Sequence, residues 1–407
     1  MKRYDLITPE GTKDLLFDEC LSRRAVENKF ADIFKSRGYS EVVTTGIEFY
    51  DVFNSGSRTI PQEQLYKLVD SKGRLIAMRP DSTIPIARLV ATRLKDAEMP
   101  LRLYYIQTMY ENNALLKGHS DEIVQAGIEL IGSDSRKADF EVLSTAMETL
   151  TAFEKDKFRL EIGTIGFFKE LISKLDIDEH TAEEIRYLVS NKNYPALNDL
   201  LDEIGDNEAT RALKQLPRLF GGEEVFERAS MLFSDEKIEK MLSDLRYVYN
   251  SLSVLGYEGK IIVDLGTVNR VDYYTGIVFR GYLEGIGEPV LSGGRYNKLI
   301  SEFGFDVAAT GFGINVNAVS SLLLKSDNAP KTKVADAIVF GENENSLKAV
   351  AYSNALAKSG ITVENSLFET LEETKEYAIQ KGISKLYVVS DEVEEINLRD
   401  NIFALSK

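Results

Sequence analysis

Between Asp18 and Arg37 the apolar residues recur at helical spacing, with Leu21, Ala25, Phe30, Ile33 and Phe34 on one stripe and Gly38 as a stop. Residues 41–53 read as strand. The runs LYKLVD and RLIAMR then predict a hairpin around Ser71, Lys72 and Gly73. After it, Arg79-Pro80-Asp81-Ser82-Thr83 leads into a helix with Pro85 in its first turn, where a residue lacking an N–H costs nothing and Asp81 can cap the free donors. Residues 101–132 predict a strand rich in β-branched and aromatic side chains, a polar loop broken by Asn112, Asn113, Gly118 and Ser120, and a second apolar strand. A helix follows over 137–155.

In that second strand the two-residue period puts Gln125, Gly127 and Glu129 on one face and Val124, Ala126, Ile128 and Leu130 on the other. One reading is a half-solvated strand with a polar outer face. The other is a floor for a small polar ligand: Gly127 leaves room, while Gln125 and Glu129 offer acceptors to an ammonium or an imidazole N–H. A buried carboxylate with no such partner is costly.

Residues 164–257 are strongly helical and charged, with breaks at Asn193, Gly205, Pro217 and Gly221, and predict an inserted helical subdomain whose charged faces are solvated. The strand pattern returns at Lys260. Within it, Tyr273 and Tyr274 fall on opposite faces of an expected strand, one free to stack on a ligand and the other packed inward. Ala308–Val319 predicts a strand entering a helix, and beyond Pro330 the chain alternates strand and helix.

Composition narrows the possibilities. A chain of 407 residues, 43% hydrophobic, holds two or three cored domains. No apolar run approaches a membrane span and the N-terminus lacks a signal-peptide core, so a cytoplasmic protein without membrane contact is expected. The single cysteine, Cys20, excludes an internal disulfide and reads as a core residue. With only His119 and His180 and no Cys or His cluster, no transition-metal site is expected, while carboxylates alone could still hold Mg²⁺; neither a metal nor a cofactor is assigned. A net charge of −16 argues against a polyanionic partner, and Pro330–Lys407, with 9 basic and 13 acidic residues, is itself at −4.

Three separated stretches together resemble the histidyl-tRNA synthetase family. Tyr105, Ile106, Met109, Tyr110, Lys117, Gly118, Gln125, Gly127, Glu129 and Gly132 match its second class-defining motif. Asp272, Tyr273, Tyr274, Gly276, Gly293, Gly294, Arg295 and Tyr296 match its histidine-specific signature, and Gly311 and Gly313 its third motif. GTKDLL near the N-terminus and RPDST, where the family has RPEGT, add to the likeness, which covers roughly residues 5–325. It implies an α+β fold: a class II synthetase-like antiparallel sheet flanked by helices. The core would comprise 1–163 and 258–325, with a helical insertion at 164–257 and a small α/β domain at 330–407.

The same likeness implies that Asp81, Thr83, Gln125, Glu129, Tyr273, Tyr274 and Tyr296 hold histidine. It also marks what is missing. The arginine that grips the ATP α-phosphate and substrate carboxylate is replaced by Glu111, the catalytic arginine of the histidine signature by Asn269, and the arginine on the γ-phosphate by Ala318. At about 4 Å and an effective dielectric near 20, reversing a unit charge turns an attraction of about 4 kcal/mol into a repulsion of that size.

Within the superfamily the pattern best resembles the synthetase-like regulatory subunits of ATP phosphoribosyltransferase. That resemblance implies no catalytic residue and no tRNA, with histidine as ligand and the short-form catalytic subunit as partner, in a homodimer within a hetero-octamer. Its function would be activation of that partner in the first step of histidine biosynthesis and a share in feedback inhibition. A divergent histidyl-tRNA synthetase using Arg270, and a free-standing histidine sensor, are the other readings.

Overall fold

The computed structural model describes residues 3–113, 120–153, 156–267 and 273–405. The chain divides into two compact units, Met1–Pro330 and Lys331–Lys407. The first opens with α1 (Asp18–Ser36), whose Val26, Phe30, Ile33 and Phe34 are buried, and the chain leaves it through Gly38 at φ 80°. Leu21 and Cys20 lie off that buried side. Both are exposed, which corrects the expectation that they join the core.

Next come β1 (Ser40–Glu41), β2 (Ile47–Phe49), β3 (Lys67–Val69) and β4 (Leu75–Met78), the last three forming a small antiparallel sheet, and α2 (Thr83–Arg93). The long hairpin β5 (Leu101–Tyr110) and β6 (Glu122–Ile131) pairs Tyr105 with Gly127 and Gln107 with Gln125. It is followed by α3 (Arg136–Leu150) and β7 (Phe158–Thr164). A helix-rich stretch follows, with α4 (Ile165–Ser173), α5 (Glu179–Ser190), α6 (Tyr194–Ile204), α7 (Glu208–Gln215), the two-residue β8 (Phe220–Gly221), α8 (Glu224–Leu232) and α9 (Glu236–Leu252). Then β9 (Ile261–Asp264), β10 (Ile277–Leu283), β11 (Leu291–Arg295) and β12 (Ala309–Asn315) run into α10 (Val316–Lys325).

Among the described residues these strands build a nine-stranded sheet in the order β1-β5-β6-β12-β11-β10-β7-β9-β8, antiparallel except for β1 with β5 and β7 with β9. The pleat separates two cores. Val124, Ala126, Ile128 and Leu130 of β6 join Phe30, Phe34 and Phe312 on the face covered by α1, α3 and α10. Tyr105, Tyr273, Tyr274, Tyr296 and Leu299 pack with Ile84 and Ala87 of α2 on the other. Full burial of one large apolar side chain contributes about 1.5–3 kcal/mol, so both faces hold the sheet.

The second unit carries β13 (Ala337–Phe340), α11 (Ser346–Lys358), β14 (Val363–Asn365), α12 (Leu371–Lys381), β15 (Lys385–Val389), β16 (Val393–Asn397) and α13 (Arg399–Leu405). Its sheet order is β14-β13-β15-β16, with β13 parallel to both neighbours and β16 antiparallel. Its own buried residues include Ile338, Phe340, Leu386 and Val389. No described helix is long and apolar enough to cross a membrane.

Candidate functional site

The floor of the site is a patch of sheet almost bare of side chains. Register aligns Glu129, Gly311, Gly294 and Val278 in one row across β6, β12, β11 and β10. The next row on the same face runs Gly127, Gly313, Ser292, Arg280 and on to Glu161 of β7. The glycines are needed because neighbours lie over them. A Cβ on Gly311 would strike the Glu129 carboxylate, one on Gly313 would sit 2.5 Å from the Gln125 amide carbon, and one on Gly294 would sit 2.8 Å from the Tyr274 ring.

Glu129 is at the centre, 1% exposed. Thr83 Oγ1, in the first turn of α2, donates to its Oε1 at 2.8 Å, and the Tyr296 hydroxyl donates to its Oε2. Burial pushes the carboxyl up to about 8, with the Asp81 charge adding to the rise and the hydroxyl donors pulling against it. Asp81 is placed by the helix it caps, its Oδ1 accepting from Ile84 N at 2.7 Å and its Oδ2 facing the Tyr273 hydroxyl at 3.4 Å. Burial raises its pKa as well. Two carboxyl groups thus share one enclosed space and together favour a cation between them.

Gln125 is oriented by the Tyr105 hydroxyl, which donates to its Oε1 at 2.9 Å. Tyr105 itself lies over Gly127, and burial drives its phenol upward, as it does those of Tyr273, Tyr274 and Tyr296. The two signature tyrosines differ from the sequence expectation. They precede β10, whose pairing with β7 starts only at Ile277, so strand alternation does not apply to them. Both are buried, their ring centroids 4.9 Å apart, and Tyr273 meets Tyr296 edge-on at 6.0 Å.

The structure therefore gathers Asp81, Thr83, Gln125, Glu129, Tyr273, Tyr274 and Tyr296 into one buried polar cluster. Asp81 and Tyr273 also line a cavity of about 230 Å³, together with Arg58, Gln64 and Glu111 among others. Ala318 lies in the first turn of α10, its N–H held by the capping Asn315 Oδ1 at 3.0 Å. Asn269, Arg270, Lys117 and Gly118 fall outside the described residues.

Three supporting residues were given no role at the site from sequence. Tyr105 is a motif match whose position opposite a glycine in a hairpin signals a ring laid over bare backbone. Arg79 is 5% exposed and donates to the Thr44, Thr45 and Thr108 carbonyl oxygens and to Gln107 Oε1, bracing the approach to α2. Asn317 extends the β6–β12 ladder through its side chain, accepting from Val124 N at 3.1 Å and donating to Glu122 O at 3.3 Å.

The family model described as Histidyl-tRNA synthetase matches residues 11–319. A crystal structure titled as an ATP phosphoribosyltransferase regulatory subunit/histidyl-tRNA synthetase from Bacillus halodurans superposes with a TM-score of 0.81 at 28% identity, covering 92% of this chain and 97% of that one. Histidyl-tRNA synthetase from Nostoc sp., at 20% identity and a TM-score of 0.75, shares the fold. The fold is thus of the class II, histidyl-tRNA synthetase-like type. Among curated relatives, the ATP phosphoribosyltransferase regulatory subunit of Clostridium botulinum is 39% identical over 386 residues, 94% of this chain and 92% of its own. That of Clostridium novyi is 39% identical over 410 residues, spanning 100% and 96%. The chain belongs to the family of ATP phosphoribosyltransferase regulatory subunits.

Proposed function

We propose that this chain is the non-catalytic regulatory subunit of ATP phosphoribosyltransferase, that it activates a short-form catalytic subunit, and that it carries histidine feedback through the hollow around Glu129. The observation that carries this reading is the pairing of the buried Asp81, Thr83 and Glu129 cluster with Glu111, which lines the cavity beside Asp81 and Tyr273 and stands where the synthetase motif has an arginine. Such a pocket suits the imidazole and ammonium donors of histidine. The same carboxylate disfavours the phosphates needed for adenylation. Histidine then acts by binding one quaternary arrangement better than another, and a coupling of 1 to 3 kcal/mol corresponds to about 5- to 150-fold modulation.

The test is phosphoribosyl-ATP formation by a short-form catalytic subunit, with and without this chain, each with and without histidine. Turnover is expected only when the chain is present and is expected to fall when histidine is added. Absence of stimulation, or histidine-dependent ATP–pyrophosphate exchange by the chain alone, would defeat the proposal.

A further inference from the structure

An amino-acid ligand brings a carboxylate as well as its cationic groups, and the cradle described so far offers it two acids, hydroxyls and an amide. A carboxylate beside Asp81 and Glu129 needs a cation to hold it. The neighbouring arginines differ in how fully they are engaged. Arg79 is bound to backbone carbonyls, Arg58 pairs with Glu302 and lies over the Phe303 ring at 4.1 Å, and Arg295 is tied to Asp139 at 3.0 Å.

Arg280 is different. It stands on the ligand face of β10, in the row that begins at Gly127 and passes through Gly313 and Ser292. Its ion pair with Glu161 is long, at 3.6 Å, and it lines a hollow of about 180 Å³ together with Tyr274, Thr267 and Ser292. Gln125 lies over Gly313, and strands are spaced about 4.8 Å apart, so roughly 10 Å of nearly bare floor separates that amide from the Arg280 backbone. An amino-acid main chain and an arginine side chain together cover that span.

Resting on the histidine-binding reading above, we infer that Arg280 anchors the ligand's α-carboxylate, across Ser292, in place of the arginine whose position Glu111 occupies. A guanidinium binds a carboxylate through paired N–H donors, a geometry that Lys reproduces only as a point charge. Glu161 competes for the same guanidinium and is displaced or protonated when the ligand arrives. Burial and the nearby Asp264 already raise its pKa, in keeping with that exchange.

The experiment compares binding of histidine with that of histidinol, which carries a hydroxymethyl group in place of the carboxylate, to the full-length chain and to its Arg280→Ala, Arg280→Lys and Glu161→Gln variants. Arg280→Ala is expected to weaken histidine by about ten- to a hundredfold, the usual effect of removing a hydrogen bond to a charged group, and to leave histidinol unchanged. Arg280→Lys should recover part of the loss, and Glu161→Gln should tighten histidine alone. Equal losses for both ligands would mean a structural role, and no loss for either would mean no role; both results overturn the assignment. If the unaltered chain binds neither compound, the histidine-binding reading itself falls and takes this inference with it. Retention of histidine binding with discrimination unchanged in Arg280→Ala would sink the carboxylate anchor alone.

Discussion

Glu129 lies within reach of Thr83 and Tyr296 and near a second carboxyl group, and this enclosure gives its titration a visible sign. It ionises near 8 in the folded chain against an ordinary 4.5, so between those values the native state binds more protons than the unfolded one. Its contribution to stability is therefore fully present below about 4.5, is lost as pH rises through about 8, and is flat above. Thermal unfolding of the unliganded chain across this window should show the decline, and Glu129→Gln should flatten it. Ligand binding should show the opposite dependence, since a cationic group needs the ionised carboxylate. Apparent histidine affinity is expected to rise toward pH 8 and then level off. A wild-type affinity that is already constant from about pH 6.5 upward would contradict this account of the site.

At the scale of elements, the site depends on how β12 pairs with β6. Gly311→Ala places a methyl against the Glu129 carboxylate and against the Ile128 carbonyl oxygen, which belongs to the paired backbone. Overpacking of this kind costs about 1–3 kcal/mol, so a lower Tm and lost histidine binding are expected, with circular dichroism still showing a folded chain. The β5–β6 hairpin and its two faces were legible in the sequence because a two-residue period holds wherever a strand is pleated, and the glycines marked the bare patch. Tyr273 and Tyr274 were not, because the ladder that imposes that period begins after them at Ile277. Cys20 was assigned to the core although it lies off the buried side of α1, a matter of helix phase near its first turn. Arg79 was opaque for another reason: its role consists of backbone carbonyls from two remote segments, and no local pattern announces those.

Considered whole, the chain holds its buried clusters within units: those on both faces of the large sheet belong to Met1–Pro330, and those of Lys331–Lys407 are its own. A chain ending at Pro330 is therefore expected to unfold cooperatively and to bind histidine within a few-fold of the full-length protein, as titration calorimetry would measure. Loss of cooperative unfolding in that fragment would show that the first unit depends on the second. The sequence indicated an α/β alternation after Pro330 but no purpose for it, since its side chains form a hydrophobic core and carry no motif.

β6 has no idle face. Glu129 belongs to the buried polar cluster with Thr83 and Tyr296, while its neighbours Ile128 and Leu130 are fully packed beneath α1, α3 and α10. Interiors at crystal-like density yield little to compression, so a side chain displaced above this strand moves its neighbours below. A ligand that displaced Glu129, as the proposed function has it, would thereby be felt by helices on the other side of the strand that never meet it.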